Sequence, residues 1–163
     1  MGYIKSRWSI IICRLENLNT LAVLCLRGNG ITIPPKDALA SLQSLQELRM
    51  DGNNITVIGK DAFGTMRVIS SLSLSNNKVQ CVYNFFRTKD GFGKNGRKSV
   101  FFIFIWYFSF FCNKINNVTY GAFENMVQLQ NLDLSGNDLK YIPSGAFIGM
   151  ICSEFVNALF LQL

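Results

Sequence analysis

Histidine is missing altogether from this 163-residue sequence. That one absence excludes Ser-His-Asp and Cys-His nucleophile systems, together with any zinc site that needs an imidazole. A span-length hydrophobic run is also missing. The longest apolar stretch, residues 100–112 with Ser109 inside it, is 13 residues, against the roughly 20 that a bilayer-spanning helix needs. Near the start, residues 8–13 give a stretch of only six residues, Ser9 among them, short of the roughly seven of a secretory h-region. The five cysteines, at positions 13, 25, 81, 112 and 152, are scattered, so no disulfide framework can be assigned from their spacing. Gly91-Phe92-Gly93-Lys94-Asn95-Gly96 spells G-x-G-x-x-G. A dinucleotide fingerprint also needs an acidic residue about 20 positions on, and positions 108–117 hold no Asp or Glu.

What is present is a repeat. Four segments share the frame L-x-x-L-x-x-L-x-L-x-x-N-x-L: Leu18, Leu21, Leu24, Leu26, Asn29, Ile31; Leu42, Leu45, Leu48, Met50, Asn53, Ile55; Met66, Ile69, Leu72, Leu74, Asn77, Val79; and Met126, Leu129, Leu132, Leu134, Asn137, Leu139. Asp61-Ala62-Phe63, Gly121-Ala122-Phe123 and Gly145-Ala146-Phe147 recur in the second half of the unit, with Asp37-Ala38-Leu39 as a milder version. The L-x-L pair alternates in and out, so each unit predicts one short strand with two apolar residues inward. Units that cannot bury an apolar face alone stack their strands into a continuous parallel sheet. An inward asparagine can satisfy the backbone of the bend that follows, where unpaired peptide groups are costly. Asn29, Asn53, Asn77 and Asn137 are the candidates for that role.

The frame resembles the leucine-rich repeat family, in particular the 24-residue type of animal cell-surface proteins such as Slit, Toll receptors and chaoptin. The resemblance implies an α/β solenoid with a parallel β-sheet on its concave face and short helices or irregular turns on its convex face. It implies a non-catalytic binding module, with no cofactor and no metal, set in an extracellular or plasma-membrane ectodomain. Extracellular relatives usually close their arrays with cysteine-rich caps, and no such cluster stands here. The chain therefore reads as a fragment of a longer array, with any membrane attachment supplied by parts of the gene product outside it.

The asparagine spacing shows one interruption. The rung positions run 29, 53 and 77 at equal intervals, then jump to 137, an interval two and a half times as long. Removing residues 79–114 joins Lys78 to Ile115 and restores the frame. The reading is thus a non-repeat segment at 1–14, repeats at 15–78, a Phe-rich basic insert at 79–114, repeats resumed at 115–149 and a non-repeat segment at 150–163. Nine of the 14 phenylalanines lie in the insert, as do Arg87, Lys89, Lys94, Arg97, Lys98 and Lys114 against Asp90, a net +5. The first 14 residues add +3 and the last 14 add −1, so of the total +6 the repeats carry −1. The charge thus gives no case for a nucleic-acid partner. Two readings of the insert stand: a loop that meets a membrane or partner, and translated intron, which the Phe-rich tract and the Lys78-Val79 pair at its entry favour.

The outward strand positions form the candidate surface for a protein ligand. They are Val23, Cys25 and Arg27; Glu47, Arg49 and Asp51; Ser71, Ser73 and Ser75; Asn131, Asp133 and Ser135. Within them Arg27, Glu47, Arg49, Asp51 and Asp133 are the candidate partner-binding residues, since charges orient and steer an incoming protein. A structural role in adhesion or matrix, with no dedicated ligand, is the alternative. Asn54-Ile55-Thr56 and Asn117-Val118-Thr119 are glycosylation sequons, which makes Asn54 and Asn117 candidate acceptors.

Overall fold

The computed structural model describes residues 18–59, 62–63, 66, 68–83, 105–124, 126–150 and, as backbone, 155–157. The four L-x-L pairs and two further segments each form a three-residue strand: β1 (Val23–Cys25), β2 (Glu47–Arg49), β3 (Ser71–Ser73), β5 (Tyr107–Ser109), β7 (Asn131–Asp133) and β8 (Phe155–Asn157). These six strands make one parallel sheet in the order β1-β2-β3-β5-β7-β8. The register is constant, with Leu24, Leu48, Leu72, Phe108, Leu132 and Val156 in line across it. A second, two-stranded sheet pairs β4 (Cys81–Val82) with β6 (Asn117–Val118). The chain is the solenoid that the frame predicts, with its parallel sheet on one face.

Burial follows the frame. Leu48, Leu72 and Phe108 are fully buried at the strand centres, and Met50, Leu74 and Phe110 two residues on. The opposite side is closed by α1 (Lys36–Ala40), a 3-10 turn at Ser144–Phe147 and irregular turns. Leu39, Phe63 and Phe123 point into the core there. Phe123 stacks on Phe147 at 5.5 Å between ring centroids, and the Phe123 amide donates to the Ala146 carbonyl at 3.0 Å. Among the described residues no helix is long and apolar enough to cross a membrane.

Two boundaries expected from the sequence are corrected by this architecture. Residues 79–82 and 105–114 do not lie outside the repeats. Tyr107–Ser109 is a central strand, hydrogen-bonded to β3 on one side and β7 on the other, so residues 105–114 are not looped out. Five of the six frame positions stand here as Ile105, Phe108, Phe110, Asn113 and Ile115, all buried. Aromatic rings stand where other units have leucine, and Phe108 and Phe110 pack at 4.5 Å between centroids. An inward slot selects for apolar volume, which phenylalanine satisfies as leucine does. Asn113 precedes Asn137 by one repeat length and follows Asn77 by one and a half, so the excess in the third unit is half a repeat. That excess falls between Tyr83 and Ile105, in a stretch that lies outside the described residues. The segment 150–163 is likewise not wholly outside the array, because Phe155–Asn157 pairs with β7 and Met150 packs on the core. Segment 1–14, Cys13, Cys152 and the Gly91–Gly96 motif lie outside the described residues.

Candidate functional site

The concave face is held in place by a ladder of asparagines, of which Asn53, Asn77 and Asn113 are buried and Asn137 half-buried. Asn53 Oδ1 accepts from the Asn29 and Ile31 amides at 2.9 and 3.0 Å, and its Nδ2 donates to the Leu26 and Met50 carbonyls at 2.9 and 2.7 Å. Asn77 repeats this one coil on, accepting from Ile55 N and donating to the Met50 and Leu74 carbonyls. Asn113, which the leucine count overlooks, accepts from Val79 N at 3.0 Å and donates to Leu74 O and Phe110 O at 2.9 and 3.0 Å. Asn137 accepts from Ile115 N and donates to Phe110 O and Leu134 O. The carbonyls of Met50, Leu74 and Phe110 each take two amides from consecutive rungs, which ties every coil to the next. Asn29 is exposed, and its amide donates to the Arg27 carbonyl at 3.0 Å.

The residue before each rung is equally regular. Gly28, Gly52 and Gly136 have φ of 64, 63 and 67°, and Asn76 and Cys112 hold the same left-handed turn at 55 and 51°. Glycine and asparagine tolerate that region; cysteine is strained in it. At Gly136 a Cβ would meet Cys112 Sγ at 2.9 Å, because the two turns stack directly.

On this frame the five candidate charged residues do not converge on one point. Arg27 Nε lies 3.3 Å from Asp51 Oδ2, and Arg49 pairs with Glu47 on the same strand. Asp51 is buried. Its Oδ1 accepts from the Ser75 amide at 3.1 Å and from the Ser73 hydroxyl. Ser75 then meets Ser109 at 2.9 Å between hydroxyl oxygens. A polar chain therefore crosses four coils from Arg27 to Ser109. Asp133 Oδ1 accepts from the Ser135 amide and hydroxyl at 3.0 and 2.6 Å. Three strand steps of about 4.8 Å separate its strand from that of Asp51, about 14 Å in all. Both carboxylates serve the sheet first, which leaves Arg27 and Arg49 as the more exposed charges, with side chains 60% and 50% accessible.

Between the two charged groups lies what the sequence reading placed in the insert. Tyr107 and Phe111 occupy outward positions of the fourth coil, and Trp106 precedes them; all three are exposed. Counting one repeat length back from Asn137, to Asn113, would have found them. On the flank, Asn54 and Asn117 are both exposed, one and four positions after their rungs. Asn117 Nδ2 reaches Cys81 Sγ at 3.7 Å. Burial pushes the Cys81 thiol up from its ordinary range, and that hydrogen bond partly offsets the rise. Among the described residues no three His, Cys, Asp or Glu side chains gather as a metal site would require.

The family profile described as Leucine Rich Repeat matches residues 44–66 and 128–150, which span β2 and β7 with their flanking turns. The fold is a leucine-rich repeat solenoid. Its repeats are 44% identical over 48 residues to Leucine-rich repeat-containing G-protein coupled receptor 5 of Xenopus tropicalis, a match covering 29% of this chain and 5% of that receptor. The fold of this chain is similar to that of a leucine-rich repeat protein of Leptospira interrogans. The TM-score is 0.63 at 17% identity, over 93% of this chain and 34% of that one. It is also similar to a chain of the Drosophila Toll–Spatzle complex, with a TM-score of 0.55 at 18% identity, over 82% of this chain and 20% of that one. The matched part is thus about a third or less of each of these proteins.

Proposed function

We propose that the concave sheet is a protein-binding surface of a cell-surface or secreted leucine-rich repeat protein, and that the chain has no catalytic role. The observation that carries this is the row of exposed side chains on rigid, parallel backbone. Arg27 and Arg49 stand at one end, Tyr107 and Phe111 in the middle, and Asn131 beside them. Arginine and aromatic residues are enriched at the energetic centres of protein interfaces, and short strands fixed by the asparagine ladder present them at little entropic cost. The similarity to a G-protein coupled receptor and to a chain of the Toll–Spatzle complex supports the receptor-like setting. No nucleic-acid partner is proposed, since the basic excess lies outside the repeat frame.

The test is to screen the chain against a panel of secreted and cell-surface proteins and then reverse the Glu47–Arg49 pair (Glu47→Lys with Arg49→Glu). Binding of any partner found should weaken at least about tenfold, equivalent to about 1.4 kcal/mol, with the far-ultraviolet circular dichroism unchanged. Undiminished binding would remove these charges from the interface. Failure of any panel member to bind would favour the structural adhesion role.

A further inference from the structure

The third and fourth coils stack on one another in a fixed register. Cys81 pairs with Asn117 and Val82 with Val118. Ser71, Leu72 and Ser73 pair with Tyr107, Phe108 and Ser109. Val79 N bonds Asn113 Oδ1, and Ile115 N bonds Asn137 Oδ1 in the same way. Lys78 N donates to Ile55 O, and Lys114 N to Val79 O. Entry at Val79 and exit at Lys114 therefore lie one coil apart along the solenoid, and Ile115 stands directly beside Val79, one strand spacing of about 4.8 Å along the array.

Excising residues 79–114 would carry Ile115 into the slot of Val79 by a single step along the solenoid axis. The strand β7 would then meet β3, with Leu132 opposite Leu72, and Asn137 would donate to Leu74 O in place of Phe110 O. The interval from Asn77 to Asn137 would shrink to one repeat length, like the others. The turn removed is also the irregular one. It is longer than its neighbours by half a repeat, and it places Cys112 at φ 51° where three other coils have glycine. Its second residue-level mark is the entry pair Lys78-Val79, since every valine codon begins with the GT of a splice donor.

We propose that residues 79–114 are a removable coil, and that the gene also yields a shorter chain in which Lys78 is followed by Ile115. Five strands of the sheet remain in that form, and its concave face differs. Tyr107 and Phe111 are gone, and the strand bearing Asp133 stands two steps from that bearing Asp51, about 10 Å rather than about 14 Å.

Two experiments decide this. Sequencing of transcripts across codons 78–115 should give reads that join codon 78 to codon 115 in frame; reads that run only through every intervening codon would overturn the proposal. The full chain, a variant lacking 79–114 and a variant lacking 79–109 should be compared by urea unfolding followed by circular dichroism. The in-register deletion should unfold cooperatively with a midpoint no lower than that of the full chain, whereas the second, which joins Lys78 to Phe110 out of register, should lose the transition. Loss of the transition in the in-register deletion, or equal behaviour of the two, would show that the coil is not a removable unit.

Discussion

Replacing Asn113 by alanine tests whether residues 105–114 are a working rung of the ladder. The side chain accepts from Val79 N and donates to Leu74 O and Phe110 O, all buried. Its removal does not orphan the two carbonyls, because Leu74 O keeps the Asn77 amide and Phe110 O keeps that of Asn137. Val79 N does lose its partner. A buried, unsatisfied donor costs about 1–3 kcal/mol, and the net loss of the shared bonds adds about 1 kcal/mol. The expected destabilisation is about 3 kcal/mol, roughly a hundredfold in the unfolding equilibrium. Asn116→Ala, at an exposed position nearby, should change stability by less than about 0.5 kcal/mol. Urea unfolding monitored by circular dichroism measures both, and hydrogen exchange at the Val79 amide should quicken only in Asn113→Ala. If the two variants unfold alike, the fourth coil does not hold the third by its asparagine, and the reasoning is wrong.

Two further outcomes are expected. Cys112→Gly should stabilise the full chain by about 0.5–1 kcal/mol, the left-handed strain relieved less the backbone entropy that glycine adds; a lower urea midpoint would show that Cys112 is unstrained. Produced through a secretory pathway, the chain should carry glycans at Asn54 and Asn117, each lost separately in Asn54→Gln and Asn117→Gln and both removed by an amidase; an unmodified mass would exclude these acceptors.

Most of the architecture is legible in the leucines. Leu24, Leu48, Leu72 and Leu132 announce four strands because alternation in a short strand buries every second residue, and the recurring asparagine marks the bend after each. Phe108 and Phe110 escape that reading for a physical reason. The slot requires apolar bulk, while the eye follows leucine, and one overlong interval hides the regular one that comes next. Val156 is hidden similarly, since Leu161 stands where an asparagine is expected. The surface is less legible than the core. That Asp51 faces outward follows from its place in the frame. That its carboxylate is already taken by the Ser75 amide and the Ser73 hydroxyl depends on which side chains the neighbouring coil presents. Lateral neighbours of this kind emerge only once the register is known, as do Tyr107 and Phe111.

The central claim is that the concave sheet recognises a protein. It is tested most directly by placing one charge on each side of the solenoid and measuring the affinity of the same partner. Tyr107→Glu alters the middle of the concave face, and Val57→Glu alters an exposed residue on the flank; neither residue is in the core. Tyr107→Glu should weaken binding at least about tenfold, while Val57→Glu should leave it within about twofold. A partner that is lost with Val57→Glu and retained with Tyr107→Glu would place recognition on the flank and overturn the role of the concave sheet.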